Sequence, residues 1–131
     1  MKTNILEAKK AYDNSYSPYS KFAVGAAIKL KNGTYIHGAN IENGSFGLSN
    51  CAERSALFAA YSMGYNKDDF ESMTVIANSN NPISPCGACR QVMSELLNKD
   101  TMITLTNLNG VEKHVTIVDL LPYSFDLENE K

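Results

Sequence analysis

The sequence lacks the features that would direct it to a membrane, a secretory route or a polynucleotide. No run of about 18 apolar residues occurs, and the opening "MKTNILEAKKAYDN" has no apolar core of signal-peptide type. A cytoplasmic protein with no membrane partner is therefore expected. Positive charge is not in excess either: 12 Lys and Arg stand against 14 Asp and Glu, a net charge of −2. Without a basic stripe to neutralise phosphates, a nucleic acid polymer is disfavoured as substrate. Repeats, linkers and low-complexity tracts are absent, so the 131 residues, 44% hydrophobic, read as one domain, 1–131, with a core of its own. Cysteine is scarce and odd in number. Three residues cannot close a disulfide framework, and a reducing compartment leaves all of them as thiols fit for metal or redox chemistry.

The elements that are present alternate in type. Residues 4–14 carry Ile5, Ala8 and Tyr12 at helical spacing among Lys and Glu, which predicts an amphipathic helix. Val24, Ala26, Ile28 and Leu30 alternate with smaller or polar residues. Asn32-Gly33 then signals a type I′ turn, and residues 34–40 return as the second strand of a hairpin. "CAERSALFAAYSMG" is rich in helix formers and ends on Gly64, a good residue just past a helix C-terminus. Residues 73–77 read as a buried strand, and Val92, Met93, Leu96 and Leu97 form the apolar face of the next helix. Residues 102–106 form a strand, Asn109-Gly110 turns into another near 112–116, and "VDLLP" gives a helical turn before an acidic tail. Strands interleaved with helices imply a layered α/β domain on a mixed five-stranded sheet.

The cysteines carry the chemistry. Cys51 opens one predicted core helix, and Cys86 and Cys89 open the next, where free backbone N–H groups and the helix dipole favour thiolate over thiol. A structural zinc site uses four protein ligands, a catalytic one three with a place for water; three cysteines with no evident fourth ligand favour the open site. Arg54 and Arg90 follow the cysteines closely and would offset the charge of three thiolates. Glu53, two residues beyond Cys51, is a carboxylate beside the metal with no need to bind it, and can take and pass on the proton of an acidified water. Plainer readings exist for each residue alone. Cys86 and Cys89 have the CxxC form of a thiol oxidoreductase pair, Cys51 suits a small core position, and Glu53 suits the first turn of any helix. The combination favours the metal. His37 and His114 have no ligand-like spacing to the cysteines and read as structural or exposed.

"SPYSKFAVGAA", "NIEN", "CAER" and "PCGACRQV" together resemble the short, homotetrameric cytidine deaminases over nearly the whole chain. Their zinc signature pairs an HxE or CxE element with PCxxC. The resemblance implies a three-layer α/β/α fold, Cys51, Cys86 and Cys89 as Zn²⁺ ligands, and Glu53 as proton shuttle. It further implies Phe22 against the pyrimidine, Asn40 and Glu42 on the ribose hydroxyls, the backbone at Ala52 on the cytosine edge, and Arg54 tuning the thiolates. In "LLPYSF" it implies that Phe125 covers the base in a neighbouring subunit of a homotetramer. A carboxylate such as Glu42 accepts hydrogen bonds from hydroxyls but repels a phosphate, so a small nucleoside is expected rather than a nucleotide. Phe46 departs from the tyrosine of many members and removes a hydroxyl contact to the sugar. A deaminase of another aminopyrimidine, such as a blasticidin-type antibiotic, is the nearest competing expectation.

Overall fold

The structure is a computed structural model in which residues 3–124 are described. Five strands, β1 (Val24–Leu30), β2 (Tyr35–Ala39), β3 (Phe70–Ala77), β4 (Met102–Asn107) and β5 (Glu112–Val115), form one sheet in the order β2-β1-β3-β4-β5. All neighbouring pairs are antiparallel except β3 with β4, which run parallel. Among the described residues four α-helices accompany them: α1 (Thr3–Tyr12), α2 (Ala52–Ser62), α3 (Gly87–Leu96) and α4 (Ile117–Leu120).

The period-2 pattern of the strands decides the layers. Ile28 pairs with Met73, Met73 with Ile103 and Ile103 with Val115, so these four share one face. They form the main core with Ala56, Leu57 and Ala60 of α2, Cys89 and Met93 of α3, and Ile117 and Leu120 of α4. On the opposite face, Ile5 and Ala8 of α1 pack on Ala27 and Ile76. The architecture is three layers, α/β/α, as the sequence implied.

Two glycines let the helices approach. A Cβ on Gly25 would lie 2.3 Å from the backbone nitrogen of Tyr12 in α1, and one on Gly38 would lie 2.3 Å from that of Ala56 in α2. Since backbone cannot yield as a side-chain tip does, Gly38→Ala should cost about 3 kcal/mol, the upper end of overpacking penalties. Urea unfolding measures it, and an unchanged midpoint would contradict this packing.

The connections bring two helix starts to one place. The crossovers β2–α2–β3 and β3–α3–β4 put α2 and α3 on the same face, each entered from the C-terminal end of a strand. In open α/β sheets that end is where ligands bind.

Three details depart from the sequence reading. The β1–β2 loop is a hairpin, but of Gly33 and Asn32 only Gly33 has positive φ, at 92°. Gly33 N donates to Leu30 O and Leu30 N to Thr34 O, a three-residue loop closed by a left-handed glycine rather than a type I′ turn. β3 begins at Phe70 rather than Met73, because Phe70 and Ser72 find partners on β1 and Glu71 pairs with Lys29 at 3.0 Å. α1 ends at Tyr12, two residues before its expected end. By contrast Gly64 ends α2 as expected, with φ of 95°, Gly64 N donating to Tyr61 O and Tyr65 N to Ala60 O.

Candidate active site

The segment after β2 is fixed from both sides before it reaches α2. Ile41 bridges Tyr16 on one flank and Asn50 on the other: Tyr16 N donates to Asn40 O at 3.0 Å, Glu42 N to Tyr16 O at 2.9 Å, and Ile41 and Asn50 exchange N–H···O bonds at 2.9 Å. This small ladder holds Asn40 and Glu42 next to Cys51. Their side chains then organise the loop opposite. Asn40 Nδ2 donates to Phe22 O at 2.9 Å, and its Oδ1 accepts from Val24 N at 2.9 Å and from the Ser15 hydroxyl. Glu42 accepts from the amides of Tyr19 (3.1 Å) and Ser20 (3.0 Å) and from the Ser20 hydroxyl. These bonds, the Ser20 hydroxyl first, hold its carboxyl below the ordinary carboxylate range. Between the two anchors Lys21 takes φ of 60°, a left-handed conformation a lysine adopts only when its surroundings demand it.

The three sulfurs meet where α2 and α3 begin. Cys51 and Cys86 are the capping residues of these helices, and Cys86 Sγ accepts from Cys89 N at 3.4 Å. Cys51 Sγ and Cys86 Sγ are 3.9 Å apart, and all three sulfurs lie within 4.8 Å of one another. Sulfurs set tetrahedrally about 2.3 Å from zinc stand about 3.8 Å apart, so the three thiolates fit Zn²⁺ in chemistry and the Cys51–Cys86 separation fits it in spacing. A disulfide needs about 2.05 Å, and all three cysteines are free. The thiols share a proton unevenly: the Cys89 thiol, then Arg54, stabilise Cys51 as thiolate and pull its pKa down to about 5, while the same contact and burial push Cys89 up. Arg54 donates to Cys51 Sγ at 3.3 Å, and its own ionisation is held firmly by that thiolate. Its Nε is buried with no hydrogen-bond partner among the described residues.

Glu53 occupies the first turn of α2 and is 4% exposed. Burial, reinforced by the neighbouring Cys51 charge, raises its carboxyl above the usual range. It lines a cleft of about 280 Å³ together with Phe22, Asn40, Glu42, Cys51, Ala52 and Cys86. The candidate residues named from sequence are thus largely brought to one cavity. Cys89 lies buried behind it. Ser20, Val24, Ile83 and Ser84 also line the cleft and were not anticipated. The "PIS" immediately before "PC" was the available signal for the last two, since the chain entering a metal ligand must skirt the metal.

Other candidates lie elsewhere. Arg90, expected to offset thiolate charge, instead directs its hydrogen bonds to three oxygens, described below. His37 binds Glu7 at 2.9 Å, and His114 binds Thr104 at 3.0 Å; neither lines the cleft. Phe125 and the side chain of Phe46 lie outside the described part of the molecule.

Comparison with known proteins agrees with this geometry. The family described as "Cytidine and deoxycytidylate deaminase zinc-binding region" matches residues 2–105. A cytidine deaminase of Halalkalibacterium halodurans is 51% identical over 125 residues, covering 95% of this chain and 93% of that protein. One from Sporosarcina psychrophila is 47% identical, with 95% and 90% covered. Among solved structures, the cytidine deaminase of Burkholderia pseudomallei superposes with a TM-score of 0.91 at 46% identity, covering 95% of this chain and 100% of that one. That of Mycobacterium tuberculosis gives 0.78 at 34% identity, with 92% and 93% covered. With the family profile spanning most of its length and these relatives covering nearly all of it, the chain belongs to the zinc-binding cytidine and deoxycytidylate deaminase family.

Proposed function

We propose that the chain catalyses the zinc-dependent hydrolytic deamination of cytidine and deoxycytidine to uridine and deoxyuridine, a pyrimidine-salvage reaction. The observation that supports this most is the convergence of three sulfurs, two of them lining the cleft that the buried Glu53 carboxyl also lines. Cys51, Cys86 and Cys89 would hold the ion, and the chemistry it would supply is the acidification of a water to a pKa of about 7.

Glu53 does the proton work. Its carboxylate oxygen takes the first proton that the attacking water sheds and delivers it to N3, which draws electrons from C4. The second proton passes through the same carboxyl to the exocyclic amine as the C4–N bond breaks. One water is consumed, N3 keeps one of its hydrogens, and ammonia carries off the other. Since Glu53 lines the cleft, both transfers can come from one side chain.

Recognition of the nucleoside falls to the rest of the wall. Phe22, Val24 and Ile83 give the base an apolar slot, and the backbone at Ala52 faces its edge. Asn40 has one N–H left after binding Phe22 O, and Glu42, with about four acceptor positions and three in use, has one acceptor left. One donor and one acceptor side by side suit a pair of ribose hydroxyls. No Lys, Arg or His is among the described lining residues, and Glu42 adds negative charge. Cytidine 5′-monophosphate should therefore show kcat/KM about 10²-fold or more below cytidine, since like charges brought together cost several kcal/mol. Comparing cytidine, deoxycytidine, the monophosphate and a blasticidin-type antibiotic tests the substrate class. Equal use of the monophosphate, or preference for the antibiotic, would contradict it.

The same reading makes residues 1–131 a single catalytic domain that works in the cytoplasm as a homotetramer. Phe58, Val92 and Leu96 bound an open depression between α2 and α3, and Phe58 is 44% exposed. That apolar surface supports a subunit contact, and Phe125 would reach a neighbouring subunit's base. Three free thiols suit a reducing compartment, and no helix among the described residues is long and apolar enough to cross a membrane.

A further inference from the structure

Arg90 departs furthest from its sequence reading. It lies half-buried in the first turn of α3, one residue after Cys89. Nε donates to Pro85 O at 2.9 Å, one terminal nitrogen to Leu120 O at 2.7 Å and the other to Ser84 Oγ at 2.6 Å. Two acceptors belong to the residues that lead into Cys86, and the third is the last residue of α4. One planar group thus joins the metal-site loop to an element 30 positions along the chain.

The three cysteines are unequally supported. Cys89 is buried inside α3, and Cys51 follows directly on the Ile41–Asn50 bridge. Cys86 is exposed and ends the irregular segment between β3 and α3. Asn107 Nδ2 ties that segment to β4 far upstream, at Asn80 O (3.0 Å), and Ile83 N ties it closer by through a long bond of 3.4 Å to Thr106 O, while Arg90 N donates to Cys86 O at 3.0 Å. Ile83 and Ser84 line the cleft on one side and a second cavity, of about 540 Å³, on the other. Arg90 and Leu120 bound that second cavity, so the guanidinium backs the cleft wall from behind.

We infer that Arg90 is a positioning residue: it clamps residues 84–85 to the end of α4 and so sets where Cys86 Sγ stands relative to Cys51 Sγ. The inference rests on Cys86 being a metal ligand. A clamp and a charge have different requirements. A guanidinium spans several acceptors in fixed geometry, whereas a lysine ammonium is a point charge on a flexible stem. Lysine therefore keeps the charge and loses the clamp.

The test uses the full-length protein loaded with Co²⁺ in place of Zn²⁺, whose thiolate charge-transfer and d–d bands report the ligand geometry, and the rate at which the zinc form surrenders its metal to a chromophoric chelator. Arg90→Met and Arg90→Lys should both shift the cobalt bands and speed zinc loss by about 10- to 100-fold, the range found when groups that orient metal ligands are removed. Ser84→Ala, which removes one arm, should move both readouts the same way by less. Arg90→Lys restoring wild-type bands and zinc retention where Arg90→Met does not would overturn the clamp in favour of charge. So would wild-type behaviour in all three variants. Should Arg90→Met not fold, wild-type zinc loss in Ser84→Ala overturns the clamp by itself. Wild-type protein without thiolate–cobalt bands would instead overturn the ligand assignment on which the inference stands.

Discussion

Glu53→Gln should keep its zinc and lose about 10²–10⁴-fold or more in kcat, the contribution of general acid–base transfer. Glutamine matches glutamate in shape, so the cleft and the sulfurs stay in place; what disappears is the ability to accept a proton and release it again. Glu53 is 4% exposed, among the few buried polar or charged residues of the chain. Burial, the largest influence, works against its ionised form, while a backbone N–H, the Cys89 thiol and the Arg54 charge favour it; an amide is the easier group to bury. Steady-state kinetics with metal analysis on the same sample decides the matter, and near-normal turnover with zinc bound would remove Glu53 from the mechanism.

Cys89→Ala should fail differently, losing metal, activity and stability together. Cys89 is fully buried against the main core and carries one of the three sulfurs that converge. Loss of the side chain alone costs on the order of 1 kcal/mol, a typical point-mutant value. Loss of the metal costs more, because a site absent from the unfolded chain turns binding free energy into folding free energy. The variant should therefore unfold at a temperature close to that of wild-type protein stripped with a chelator, and well below zinc-loaded wild type. A fully metalled variant with the wild-type midpoint would contradict the assignment of Cys89 as a ligand.

What was legible in the sequence was what neighbouring residues dictate. The alternation of residues 24–30 placed β1, helix formers ending at Gly64 placed α2, and the apolar set Val92, Met93, Leu96 and Leu97 placed α3, although only Met93 and Leu97, the latter just past the helix, are fully buried. The turn type at Asn32-Gly33 was missed because a type I′ turn and a three-residue loop ending in left-handed glycine share the same two letters. The start of β3 was missed because Glu71 and Ser72 look like loop residues until Lys29 and β1 are set beside them. Cys51, Glu53, Cys86 and Cys89 were legible because helix starts concentrate ligands within a few positions. The rest of the site depends on partners far apart in the chain. Ser15 and Asn40, Ser20 and Glu42, and Arg90 and Leu120 are separated by 25, 22 and 30 positions, and no local pattern links them. Arg90 shows the consequence: its type and position suggested charge balance, while its three oxygen partners make it a brace.

The most direct test of the account follows the ultraviolet absorbance of cytidine during incubation with zinc-loaded protein, before and after a chelator strips the metal and again after Zn²⁺ is restored. Steady conversion to uridine is expected, lost on chelation and restored with zinc. Fully metalled protein that leaves cytidine unchanged, or conversion indifferent to the metal, would contradict it.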